Sequence, residues 1–229
     1  MASRKVAIFD VDGTIFRSSL LIQLVEQLIL DGAFAETVQI EYEKTRQKWL
    51  DREGDYDAYV DAIVQAFCKH IKGVHYSALV NAADKMVDAR WKQVYRYTRD
   101  LIPELKRQGY FLLAISHSPK TVLDKFCPKL GFDKAYGMIY EIGANDSFTG
   151  KVVDEHIILN KANILRRAVE KEGLTLKDSV GVGDTNSDIP FLEMVEKPIC
   201  FNPNSKLYTH AKRQGWKAVV ERKDVIYEL

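Results

Sequence analysis

The chain is predicted to adopt an α/β fold in which a parallel-sheet core is interrupted by an all-helical insertion, and three features support this. The first is a continuous apolar run, Val6 to Phe9, that delivers Asp10 and Asp12 at its end. Unbroken rather than alternating hydrophobicity marks a strand buried on both faces. The second is the stretch 16–97, where apolar residues recur at helical spacing and no strand pattern occurs. The third is the return of helix and strand alternation after residue 98, with polar or acidic residues following the apolar strands. A length of 229 residues accommodates a core of 1–15 plus 98–229 and a helical cap of 16–97.

Taken in order, Leu20, Leu21, Leu24, Val25, Leu28 and Ile29 share one helical face, and Asp31-Gly32 ends that helix. A second helix is expected over Phe34 to Leu50, followed by the polar break Asp51 to Asp55. Val60, Ile63, Val64, Phe67 and Ile71 mark a third helix, stopped at Gly73. Leu79, Val80, Ala83, Met86, Val87 and Val94 mark a fourth, expected to end near Tyr97. Beyond it come a helix over Leu101 to Gln108, a strand over Tyr110 to Ile115 leading into Ser116-His117-Ser118, and a helix over Pro119 to Leu130. Tyr136 to Ile142 and Phe148 to Val153 flank a turn-rich segment and read as a hairpin. A helix over Asn160 to Glu172 then leads to a strand over Ser179 to Val182 that ends in Gly183-Asp184-Thr185-Asn186-Ser187-Asp188. Pro198 to Phe201, a helix near Ser205 to Gln214, and Trp216 to Val220 complete a Rossmann-like rhythm.

Hydrophobic residues at 46% and charged residues at 28% are ordinary for a globular chain, and disorder is disfavoured. The formal charge of +1, with basic residues dispersed, lacks the footprint of a dedicated nucleic-acid binder. No apolar run is long enough to cross a bilayer, and the amino-terminal residues enter the first strand with no room for a signal peptide, so a cytoplasmic location is expected and no membrane partner. Cys68, Cys127 and Cys200 are odd in number and widely spaced, which argues against both a disulfide framework and thiolate metal ligation.

Chemistry concentrates where strands end. Asp10 and Asp12, Ser116, Lys161, and Asp184 with Asp188 all lie at the carboxyl end of a predicted strand or the start of a predicted helix, where open α/β sheets bind ligands. Two carboxylates ~4 Å apart repel by about 4 kcal/mol at an effective dielectric near 20, so a cation is implied between them. Carboxylates without thiols suit a hard ion such as Mg²⁺ rather than zinc, and carboxylates, Mg²⁺ and one lysine together suit phosphoryl transfer. His70, His75, His156 and His210 have no partners at ligand spacing; His156 alone is a candidate for the rim of the site.

With these residues in order, the chain resembles the haloacid-dehalogenase-like hydrolases, and within them the phosphoserine-phosphatase-like branch with a helical cap after the first motif. The matching motifs are Asp10-Val11-Asp12-Gly13-Thr14, Ser116, Lys161, and Gly183-Asp184-Thr185-Asn186-Ser187-Asp188. The resemblance implies a Mg²⁺-dependent phosphomonoesterase acting on a small phosphorylated metabolite through an aspartyl phosphate. It implies that Asp10 attacks phosphorus and that Asp12 protonates the leaving alkoxide and then activates water. Mg²⁺ would be held by Asp10, Asp184 and the backbone carbonyl of Asp12, with Asp188 behind them orienting Lys161 or a metal-bound water. Phosphate would be held by Ser116, Lys161 and backbone amides including that of His117.

The helical segment is the expected lid over such a site, hinged near Phe16-Arg17-Ser18 and near Tyr97-Thr98-Arg99. Phosphoserine phosphatases carry a cap glutamate just after the first motif; Ser19 stands there instead. Phosphoserine is thereby put in doubt as the substrate, although Glu26 or Asp57 could supply a carboxylate from another helix. Arg17, Arg46, Lys48, Arg52 and His156 are the candidates for contacting a polar or anionic leaving group. Phosphoserine phosphatase proper, a phosphotransferase or mutase of the same fold, and a phospholigand-binding protein without turnover are the alternatives. The intact Asp12 and Lys161 weigh against the last.

Overall fold

A computed structural model describes residues 3–153 and 160–229. Strand β1 (Arg4–Phe9) is followed by four helices, α1 (Leu20–Leu30), α2 (Val38–Leu50), α3 (Tyr56–His70) and α4 (Tyr76–Arg90), before helix α5 (Arg96–Arg107) leads into β2 (Phe111–Pro119). Then come α6 (Lys120–Lys129), the hairpin β3 (Lys134–Ile142) and β4 (Phe148–Val153), α7 (Lys161–Glu172) and β5 (Leu174–Gly183). The short helix α8 (Ile189–Leu192), β6 (Lys197–Phe201), α9 (Ser205–Gln214), β7 (Lys217–Arg222) and β8 (Val225–Glu228) finish the described chain.

The eight strands form one sheet in the order β4-β3-β2-β1-β5-β6-β7-β8, parallel throughout except for β4 and β8 at its edges. From β1 the chain winds outward through β2 and β3, then returns to the other side of β1 with β5 and continues through β6 and β7. The boundary between β1 and β5 is therefore the switch point, the place where such sheets open a crevice at their carboxyl ends. Asp10 follows β1 and Asp184 follows β5. Phe9 pairs with Ala114 of β2 and Val182 of β5, and the Asp10 amide donates to the Val182 carbonyl at 2.9 Å, which fixes Asp10 between the two neighbours.

Because successive strand residues face opposite sides, the central strands divide their apolar residues between two cores. Val6, Ile8, Leu113 and Ile115 face α7, α8 and α9 through Ile164, Leu165, Phe191 and Leu207. Ala7, Phe9, Leu112 and Ala114 belong to the opposite core, which also contains Leu24 and Leu28 of α1, Ile63 and Phe67 of α3, and Met86 and Val87 of α4. The helices after β1 thus share one continuous apolar core with a sheet face. Phe16 meets Phe126 of α6 edge-on at 5.7 Å, and Phe67 meets Tyr140 of β3 at 5.1 Å.

The connections into and out of the helical segment are paired with each other. Phe16 bridges Val94 antiparallel, the Arg17 amide donates to Gln93 and the Tyr95 amide to Ile15, both at 2.9 Å. The expectation that α4 runs on to near Tyr97 is corrected: α4 stops at Arg90, residues 91–95 form the return crossing, and Tyr97 and Thr98 lie inside α5. Val94 fits the helical period but is taken up by the bridge to Phe16. The buried Thr98 hydroxyl donates to the Thr14 carbonyl at 3.0 Å, tying the start of α5 to the loop after β1. Strand β8, antiparallel to β7, is an addition to the sequence reading.

Candidate active site

Lys161 is the first residue of α7, buried at 3% exposure, and its ammonium donates to Asp10 Oδ1 and to Asp188 Oδ1, each at 2.5 Å. Asp188 is fully buried, and its other oxygen, Oδ2, accepts from the backbone amides of Asp184 and Thr185 at 2.9 and 3.0 Å. This reach back to the amides ahead of it is a capping box with Thr185, and it sets the loop after β5. The Thr14 hydroxyl donates to Asp184 Oδ1 at 3.2 Å across the switch point.

Two glycines make room for this arrangement. Gly13 has φ +83°, and a Cβ there would lie 2.1 Å from Asp184 Oδ2, so any side chain would displace that carboxylate. A Cβ at Gly183 would meet Asp188 Cβ at 2.6 Å.

Carboxylate oxygens of Asp10, Asp184 and Asp188 all lie within 4.8 Å of one another. One ammonium serves these three acids, which leaves an excess of negative charge that a divalent cation matches. The titration behaviour expresses that excess. Burial, with Asp188 and Asp12 nearby, pushes the Asp10 carboxyl up to about 7 against the pull of Lys161. Burial with Asp10 and Asp188 raises Asp184 well above the ordinary range, while Asp10 and Asp188 hold Lys161 charged despite its burial. Asp10 Oδ2 is buried and has no hydrogen-bond partner. A buried oxygen left unpaired is costly unless a ligand completes it, and oxygen-only donors suit a hard cation. Both oxygens of Asp188 are already engaged, so Asp10 and Asp184 are the carboxylates best placed to hold one.

Asp12 points elsewhere. Its Oδ2 accepts from the hydroxyls of Ser116 at 2.5 Å and Ser118 at 2.8 Å, and its Oδ1 from the Leu20 amide at 2.5 Å. Ser116 Oγ in turn accepts from the Ser118 amide at 2.8 Å. The structure therefore brings Asp10, Lys161, Asp184 and Asp188 into one cluster, with Asp12 and Ser116 as an adjoining pair. His117 is exposed beside them; His156 lies outside the described residues. Thr14 stood in the first motif without a role of its own, and Ser118 was not singled out from the sequence. Ser118 carried a usable signal, because it lies two residues from Ser116 on the same strand and so on the same face.

Two cavities meet at this site. One of about 340 Å³ is lined by Asp10, Asp12, Ser118, Lys161 and Asp184 together with Ser19 and residues of α3. The other, about 760 Å³, lies between α1–α3 and the carboxyl ends of β5 and β6, and holds Arg17, Glu26 and Arg46. Tyr56, Asp57, Asp184 and Thr185 line both. Neither Lys48 nor Arg52 is among the residues lining either cavity.

A carboxylate cluster at the switch point of a mostly parallel sheet is the arrangement of a hydrolase family, and the chain belongs to it: residues 7–193 match the family model of the haloacid dehalogenase-like hydrolases. Within that family its similarity runs to the phosphoserine-phosphatase-like branch. A phosphoserine phosphatase of Mycobacterium tuberculosis is 26% identical over 92% of this chain and 69% of its own length. The structure of a phospho-aspartyl intermediate analogue of phosphoserine phosphatase shares the fold with a TM-score of 0.64 at 21% identity, covering 97% of this chain and 96% of that one. A protein of unknown function from Bordetella pertussis Tohama I shares it with a TM-score of 0.74 at 17% identity, covering 95% and 98%.

Proposed function

We propose that this hydrolase is a Mg²⁺-dependent phosphomonoesterase that cleaves a small phosphorylated metabolite through an aspartyl phosphate on Asp10, with residues 16–97 acting as a cap over a core of 1–15 and 98–229. The observation that carries the reading is Asp10 itself: one oxygen is fixed by Lys161 and the other is buried and unpartnered. Phosphatases among the relatives and the surplus of carboxylates over ammonium support it.

In this reading Asp10 and Asp184, with the backbone carbonyl of Asp12, hold Mg²⁺, which supplies charge neutralisation for the phosphoryl group. An Asp10 carboxylate oxygen attacks phosphorus, and the bond from phosphorus to the ester oxygen breaks. Asp12, held off the Asp10–Asp184 cluster by Ser116, Ser118 and the Leu20 amide, gives its proton to the departing alkoxide. It then removes a proton from water as that water attacks the acyl phosphate, returning Asp10 and releasing inorganic phosphate. Lys161 has three N–H donors and spends two on carboxylates, which leaves one for a phosphate oxygen. Ser116 has a single O–H and binds phosphate by turning it away from Asp12, while the backbone amide of His117 adds a donor. Asp188 orients Lys161.

The test is phosphate release from a panel of small phosphomonoesters with and without Mg²⁺, combined with acid quenching and mass analysis of the protein. Mg²⁺-dependent release and a phosphoryl adduct on Asp10 are expected. Release that persists in EDTA, or an adduct mapped to another residue, would overturn the reading.

A further inference from the structure

We infer that the leaving group is an alcohol carrying a positive charge and no carboxylate, held by Tyr56, Asp57 and Asp61 of α3. The inference rests on the phosphomonoesterase reading and adds the class of substrate. In the smaller cavity the phosphoryl end is defined by Asp10, whose Oδ2 is buried and unpartnered, together with Asp12 and Lys161. From α3 the same cavity receives Tyr56, Asp57, Val60, Asp61 and Val64. Asp57 and Asp61 are four residues apart and so share a helix face, and both are solvent-exposed at this boundary.

Counter-charge for these two acids is scarce in the cavity. Among the described residues that line it, Lys161 is committed to Asp10 and Asp188, none is an arginine, and the remaining basic side chain is that of His117. Arg17, Arg46 and Lys206 line the neighbouring cleft, with Lys206 within electrostatic reach of Asp57. Partial burial and the carboxylates of Asp55 and Asp61 nevertheless raise the Asp57 carboxyl, as expected where negative charge outweighs its compensation.

An ammonium group fits what these residues offer. Asp57 and Asp61 supply charge, the half-buried Tyr56 supplies an aromatic face for a cation, and Val60 and Val64 supply apolar contact for methylene or N-methyl groups. Held within this cavity, a carboxylate on the same leaving group would meet two aspartates and no guanidinium. Ser19, which also lines the cavity, contributes only a hydroxyl. These observations separate an amino or quaternary ammonium alcohol from an amino acid.

The experiment measures kcat/KM with Mg²⁺ for phosphocholine against its neutral isostere 3,3-dimethylbutyl phosphate, and for O-phosphoethanolamine against propyl phosphate and L-phosphoserine. The cationic ester should exceed its neutral partner by about tenfold, the combined scale of a cation over an aromatic ring and exposed ion pairs. L-Phosphoserine should fall below O-phosphoethanolamine. In the doubly substituted Asp57→Asn, Asp61→Asn protein the cation-to-neutral ratio should fall to the share left by the Tyr56 ring, a readout independent of the fraction of folded enzyme. Equal rates for cationic and neutral esters, a preference for L-phosphoserine, or a ratio unmoved by the substitutions would overturn this inference while leaving the phosphomonoesterase reading in place. Failure to hydrolyse any of the five esters would overturn both.

Discussion

At the strand ends, Lys161 and Asp188 are buried, and one oxygen of Asp188 is taken by Lys161 at the start of α7 while the other is taken by the amides of Asp184 and Thr185. On α3, a few residues across the same cavity, Asp57 and Asp61 stand in solvent on a helix whose position is set by Ile63, Ala66 and Phe67 on its other face. The first region holds its charges in one geometry before any ligand arrives, as stabilising developing charge requires. The second presents charges whose geometry is not fixed by neighbours and whose strength solvent screens. Substitutions in the first should therefore cost orders of magnitude in rate, and substitutions in the second should change which ester is preferred.

The largest effect is expected from Asp10→Asn. Steady-state turnover should fall by roughly 10⁴ or more, the scale on which a covalent nucleophile is lost. The fold should survive, and melting should occur at an equal or higher temperature, because one of three clustered carboxylates, which have a single ammonium among them, has been neutralised. Appreciable turnover in purified protein would place the nucleophile elsewhere, and collapse of the fold would make Asp10 structural.

Asp12→Asn comes next, with a loss on the order of 10²–10⁴, the range of general acid–base catalysis. The asparagine carbonyl can still accept from Ser116 or Ser118, so the loss reads proton transfer rather than packing. It should be small for an aryl phosphate whose phenolate leaves without a proton and large for an alkyl phosphate. Equal losses on both would remove the leaving-group role from Asp12.

How far each region could be read from the sequence follows the same division. β1 and its acid pair were legible because an unbroken apolar run cannot be a solvated face, and the loop after β5 because its acids and glycines recur at one strand end. The carboxyl end of α4 was not, since Trp91 and Val94 continue a helical apolar period that only pairing with Phe16 interrupts. β8 escaped because its residues are largely exposed and carry no burial pattern. The bond from Ser116 to Asp12 joins positions 104 apart in the chain, and no local spacing encodes it. Asp57 was open to suggestion only as an alternative, for an exposed helical acid that faces a cavity has the same local sequence as one that faces water.

Metal binding should appear in stability as well as rate. The ordinary Asp value is 3.8 and Asp10 is held at about 7, so between those values the folded state keeps a proton that the unfolded chain releases. Its contribution to stability therefore falls as pH rises through that window. In EDTA the melting temperature of the wild type should decline relative to Asp10→Asn between pH 5 and 7. Mg²⁺ at a hundred times its Kd should restore about 2.7 kcal/mol at neutral pH and less at pH 5, where protons compete. A Mg²⁺ effect independent of pH, or equal in Asp10→Asn, would detach the ion from this carboxylate.

The smallest effect expected concerns L-phosphoserine. Ser19 is buried, lines the smaller cavity, and makes no capping hydrogen bond at the start of α1. Its hydroxyl cannot stand in for a carboxylate facing an ammonium group, a charge-assisted bond that contributes about 1.5–3 kcal/mol when desolvated. Losing it removes one to two orders of magnitude of preference for an amine-bearing substrate. Asp57 and Asp61 return part of that preference from α3, but as exposed charges they return less, and for phosphoserine their attraction for the ammonium is opposed by repulsion of the carboxylate. The kcat/KM of L-phosphoserine relative to propyl phosphate should accordingly stay well below a hundredfold. A ratio of a hundred or more would mean that the helical segment holds its ligand with the same rigidity as the strand ends, and the contrast between the two regions would disappear. A ratio of a few, rising for esters that keep the amine and drop the carboxylate, would sharpen that contrast: fixed buried charges carry the reaction, and exposed charges on α3 choose what it acts on.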